Sequence, residues 1–131
     1  MLHTIKHITA AALCLFASSL LAVAPKQLLT HNLTDFESNA FIDQTIPSNH
    51  PTKAHSDGKV FWTFVKMACF GHTTDGKCTA LIMMKTDTSD PIPLGTVTLE
   101  LETGDITPKE LSGNGFTLTV NGPGETTITA P

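Results

Sequence analysis

Two patterns of apolar residues divide this chain. From Ile8 to Ala24 the residues are apolar, interrupted only by Thr9, Ser18 and Ser19. Beyond Pro25 the apolar positions come in short runs or alternate with polar ones. Alternation is plainest toward the C-terminus. In Thr96–Glu102, Val97, Leu99 and Leu101 point one way while Thr96, Thr98, Glu100 and Glu102 point the other. That period of two predicts a half-buried antiparallel strand with a wet face. Phe116, Leu118 and Val120 alternate with Thr117 and Thr119 in a second such strand, and Glu125–Ala130 makes a third with Ile128 inward. Turns fall between them at Thr103-Gly104-Asp105, Gly113-Asn114-Gly115 and Asn121-Gly122-Pro123-Gly124. Thr107-Pro108-Lys109-Glu110 has the form of a single helical turn with proline at its first position.

The middle of the chain is more apolar. Val60–Cys69 reads VFWTFVKMAC and Cys78–Thr86 reads CTALIMMKT, both rich in aromatic, β-branched or aliphatic residues. Between them lies FGHTTDGK, with the turn signal Asp75-Gly76. These segments predict a β-hairpin with Cys69 opposite Cys78. In that register Met67 faces Ala80 and Val65 faces Ile82, and both faces of the hairpin are largely apolar. Central strands of a two-layer structure have this character. Before the hairpin, Pro47–Gly58 (PSNHPTKAHSDG) reads as a loop long enough to be a candidate binding surface. Residues 25–46 fit neither period. Thr34-Asp35-Phe36-Glu37 has capping-box form, which predicts a short helix over 35–44; a first strand over 27–33 is the alternative.

The fold class that follows is all-β. It is a small antiparallel β-sandwich or barrel-like domain with one disulfide-linked hairpin and room for one short helix near its start. The leading segment 1–24, with His3, Lys6 and His7 before its apolar run and Ala22-Val23-Ala24 at its end, has the layout of a secretory signal peptide. Residues 25–131 then form a single exported domain, periplasmic or extracellular. Its cysteines are Cys69 and Cys78, and an oxidising compartment predicts that they are joined.

Charge narrows the function. The chain has 8 lysines, no arginine and 12 acids, a net charge of −4. Removing Lys6 with the signal leaves 7 against 12, or −5. A nucleic-acid partner needs a basic footprint that is missing here, an anionic membrane is disfavoured for the same reason, and no membrane partner is expected once the signal is cleaved. No cofactor is implied by any motif. Three functional readings remain. The first is a binding domain acting through loops rather than catalysis, on a protein, peptide or glycan. Its contact residues are His72, Thr73, Thr74 and Asp75 at the hairpin tip, where a cross-link pre-orders the backbone. The second is a zinc or copper protein using His50, His55 and His72, which requires their loops to meet at one end of the sandwich. The third is a small hydrolase without a nucleophile motif. Trp62, the single tryptophan, is expected in the core, as are Met67, Met83 and Met84. Asn32-Leu33-Thr34 has the form of a glycosylation sequon, a triplet that arises often by chance.

Overall fold

The computed structural model describes residues 23–131. The expected signal segment 1–24 lies outside the described residues except for Val23 and Ala24. Among the described residues, eleven strands and one helix follow in the order β1 (Gln27–Asn32), β2 (Ser38–Ile42), β3 (Ile46–Pro47), β4 (Ser56–Phe61), α1 (Trp62–Cys69), β5 (Thr73–Thr74), β6 (Lys77–Met84), β7 (Ile92–Glu100), β8 (Ile106–Thr107), β9 (Glu110–Gly113), β10 (Phe116–Gly122) and β11 (Glu125–Thr129). They form two sheets. One has the order β4-β1-β11-β10-β9; the other runs β3-β2-β6-β7-β8, with β5 added beside β6. All pairings are antiparallel except that of β1 with β11, which brings the first and last strands together in parallel. The expected β-sandwich is present.

Alternation decides which side chains fill the interior. Val97 and Leu99 of β7, Phe116 and Leu118 of β10, and Ile128 of β11 are buried, each where the period of two places it. Leu101 is buried just past β7. The N-terminal segment takes the strand alternative: β1 covers Gln27–Asn32, and β2 occupies residues where the capping-box signal predicted a helix. Thr34 does use its hydroxyl as a cap would, accepting from Phe36 N at 3.1 Å, but the chain then extends. Residues 107–110 likewise form the ends of β8 and β9 and not a helical turn.

The largest correction concerns Val60–Cys69. Strand β4 ends at Phe61, and Trp62–Cys69 is a helix. Its buried residues are Trp62, Val65 and Cys69, a spacing of three and four that lays one stripe on the core. Tertiary contacts hold this helix where local signals are weak. Phe61 caps it without any side-chain hydrogen bond. Trp62 N instead donates to Lys26 O at 2.9 Å, and Trp62 Nε1 donates to Leu101 O at 2.9 Å. At the other end Cys69 is bonded to Cys78, with Cα atoms 6.0 Å apart. The expected disulfide exists, but it ties a helix end to β6 and does not cross a hairpin between two long strands. Only Thr73–Thr74 pairs with Lys77–Cys78 to make a short hairpin around Asp75-Gly76.

The two sides of the sandwich differ. Strand β9 lies on β7 so closely that a Cβ on Gly113 would sit 2.1 Å from the carbonyl oxygen of Leu94. A side chain there would collide with backbone, so glycine is required for the approach. On the opposite side the edge strands are β4 and the two-residue β3. Here the sheets part, and helix α1 and the chain between β3 and β4 lie over the gap.

Candidate functional site

The gap is a cavity of about 520 Å³ between the sheets. Leu28, Val60, Leu118 and Ile128 line it from one sheet, and Ala40, Ile42, Ala80, Ile82, Val97, Leu99 and Ile106 from the other. Phe64, Val65, Met67 and Ala68 of α1 and Ile46–His50 form its mouth. This is within the roughly 300–1,000 Å³ of small-molecule sites. The space opens to solvent at its mouth, so it is a cleft entering the sandwich and not an enclosed void. Its walls include small side chains on inward positions, Ala40 and Ala80, where larger ones would close it.

The lining has no lysine, aspartate or glutamate; His50 is its one titratable side chain. Polar groups gather toward the β2–β3 end. Asn39 Nδ2 donates to Ser48 O at 3.0 Å, and Ser48 Oγ donates to Asn39 Oδ1 at 2.5 Å. Ser48 Oγ also accepts from His50 N at 3.1 Å, which turns the loop back over the mouth. There the His50 ring stacks on Phe64, with centroids 6.4 Å apart and planes 19° from parallel. The paired backbone of Ser38 and Thr52, bonded at 2.9 and 2.8 Å, anchors the same loop. The arrangement suits an uncharged, largely apolar guest with one polar end. An ionised group inside would lack a counter-charge.

Asn32 secures the wall behind this loop. It is fully buried: its oxygen accepts from Thr34 N at 3.0 Å and Thr34 Oγ1 at 2.8 Å, and its amide donates to Phe36 O at 2.7 Å. The same amide donates to Thr52 O at 3.3 Å. Its sequon form therefore reflects a structural knot.

The histidines have separate partners. His50 stacks on Phe64; His55 Nε2 is 2.5 Å from Asp35 Oδ1; His72 Nδ1 is 3.2 Å from Asp43 Oδ2. Among the described residues no group of three or more His, Cys, Asp or Glu side chains is placed to hold a metal ion. Thr73, Thr74 and Asp75 are exposed and His72 is half-buried; together they form one corner beside the disulfide, outside the cavity lining. His31, which carries no distinguishing motif, lies between two carboxylates, 2.7 Å from Asp57 and 3.0 Å from Glu125. The hydrogen bond to Asp57, then that to Glu125, raises its pKa above the ordinary value against a smaller opposing effect of desolvation.

Sequence reasoning missed the cavity. The one signal for its mouth was the Pro47–Gly58 loop, which supplies His50 and Thr52 to the lining.

A family profile described as "T2SS substrate NttC" matches residues 1–131. The crystal structure of the Legionella pneumophila type II secretion system substrate NttC is similar at 56% sequence identity and a TM-score of 0.81. The match covers 82% of this chain and all of that one. Comparison with curated proteins finds no match.

Proposed function

The chain belongs to the NttC family of type II secretion system substrates, and from that premise we propose that this exported protein is a carrier or sensor of an uncharged apolar small molecule. The observation that carries the reading is the inter-sheet cavity of about 520 Å³, walled by aliphatic side chains and bordered by a polar cluster at one end. Burial there supplies the affinity, at roughly 25 cal/mol per Å² of apolar surface removed from water. Ser48 and His50 at the mouth supply orientation for a hydroxyl, ester or amide end. A ligand with an alkyl or acyl chain fits this chemistry.

Titration with an environment-sensitive fluorophore bearing an alkyl chain tests it. Saturation at one equivalent is expected, with competition by long-chain alcohols. A matched alkyl sulfate, whose charge has no partner inside, competes less well. Failure of every apolar probe to bind at micromolar protein removes the reading.

Release outside the cell is the finer localisation we propose, supported by membership in a family of secretion-system substrates. Immunoblotting of culture medium against periplasmic extract tests it, and confinement to the periplasm argues against it. The hairpin corner His72–Asp75 keeps a separate role as a protein-contact candidate, favoured by the exposure of Thr73, Thr74 and Asp75 beside the disulfide.

A further inference from the structure

Helix α1 is unusual for its exposed side. Phe70 is 86% exposed, Phe61 67%, Met67 65% and Phe64 48%. Four large apolar side chains on or flanking one eight-residue helix make a concentrated patch, of the kind that marks a contact surface. Phe61 and Phe64 lie against each other with ring centroids 6.0 Å apart and planes tilted by 55°, so these two rings make one surface.

Two further observations identify what it meets. The patch borders the mouth of the cavity, since Phe64 and Met67 belong to both. An apolar guest crossing the mouth passes over it. The charge around it is also distinctive. Gly58–Thr74, seventeen residues between Asp57 and Asp75, contains no acid and two lysines, Lys59 and Lys66; its His72 is paired with Asp43. Exposed phenylalanines with lysines beside them are the composition of segments that lie in the interface of a lipid bilayer.

We infer that the α1 face docks on the surface of a lipid bilayer and brings the cavity mouth against it, so that the guest moves between membrane and cavity without crossing water. This rests on the cavity reading above. The net negative charge of the whole chain sets the lipid preference: a neutral or zwitterionic surface, bound through apolar contact. Phe61 and Phe70 enter the headgroup region first, being the most exposed of the described aromatic residues and lying outside the cavity lining. Lys66 extends toward headgroups, its stem along the apolar face.

The test is co-flotation of the exported protein with phosphatidylcholine vesicles. The Phe61→Ser/Phe70→Ser variant serves as control, with circular dichroism and thermal melting to show that it folds. Phe61→Leu/Phe70→Leu, which retains apolar surface, is the rescue. Native protein is expected to float with the vesicles, the serine variant to lose at least tenfold in partitioning, and the leucine variant to recover most of it. Binding is expected to persist at high salt. No flotation of the native protein, or equal flotation of the serine variant, overturns the inference. So does sedimentation showing a dimer that the serine variant abolishes, since a second copy would then be the occupant. Binding of the alkyl fluorophore without vesicles, measured on the same samples, separates failure of docking from failure of the cavity.

Discussion

The two long sides of this sandwich are built from the same alternation and end in opposite states. On the β8/β9 side the sheets meet. Leu94 is buried, and Gly113 lets the backbones approach so closely that no side chain fits between them. On the β3/β4 side they part, and α1 covers the opening with Trp62, Val65 and Cys69 inward and Phe64 and Met67 at the mouth. The closed side follows the usual rule of dense packing. The open side breaks it, and the break is held in place by specific devices: the Trp62–Leu101 hydrogen bond, the disulfide and the Asn32 knot.

The contrast is sharpest under mutation. Leu94→Ala, at the closed side, is expected to destabilise the domain by about 2–5 kcal/mol, because the packed surroundings cannot collapse onto the missing methyl groups. Urea denaturation gives the number. A loss below about 1 kcal/mol would mean that the closed side is no better packed than the open one.

Replacing both Cys69 and Cys78 by serine comes next. The bridge spans a sequence separation of 9, and closing so short a loop contributes about 2–3 kcal/mol in the chain-entropy model. Because the bridge secures one end of α1, the loss should be accompanied by faster amide exchange in Trp62–Cys69 than in β7. Uniform exchange in both elements would show that the bridge stabilises the domain without holding the helix over the gap.

How far these differences were legible beforehand follows from what each residue responds to. Val97, Leu99, Leu118 and Ile128 were legible because strand periodicity reports directly which side faces inward. The Cys69–Cys78 pairing was legible from compartment and count. Helix α1 was not. Its residues favour strands by composition, its first turn lacks a capping side chain, and its orphan N–H of Trp62 is satisfied by Lys26, distant in sequence. The cavity was hidden for a different reason. Ala40 and Ala80 occupy ordinary inward positions, and inward alanines look the same whether the facing sheet touches them or stands away. Met67, expected in the core, is at the mouth because α1 follows the helical period.

Filling the space makes a milder but more discriminating test. Ala40→Leu adds volume on the open side, where room exists, and its stability should stay within about 1 kcal/mol of the native chain. Binding of apolar probes should fall at least tenfold. A large destabilisation would show that the gap is already closed in solution.

The smallest effect concerns His31, which bridges β4 and β11 across β1, the wall behind Thr30 of the cavity. A histidine whose folded pKa is raised adds stability that is complete below about pH 6.5 and is lost as pH rises through the higher folded value. The native melting temperature should therefore fall between pH 6 and the alkaline side of neutrality by more than that of His31→Gln. The same comparison sets aside the other histidine–carboxylate pairs, which both proteins share. Equal falls in the two proteins would place the pH dependence elsewhere.

The central claim is that the space between the sheets receives an apolar guest, and methyl NMR addresses it at the site itself. Isotope-labelled Ile, Leu and Val methyls report from both walls, and dodecanol serves as the guest. The account predicts saturable shifts at Ile42, Ile82, Val97, Leu99 and Ile128, with Leu94 on the closed side unmoved, and loss of those shifts in Ala40→Leu. Shifts confined to exposed methyls such as Leu33, or unsaturable shifts spread over the whole surface, would contradict it.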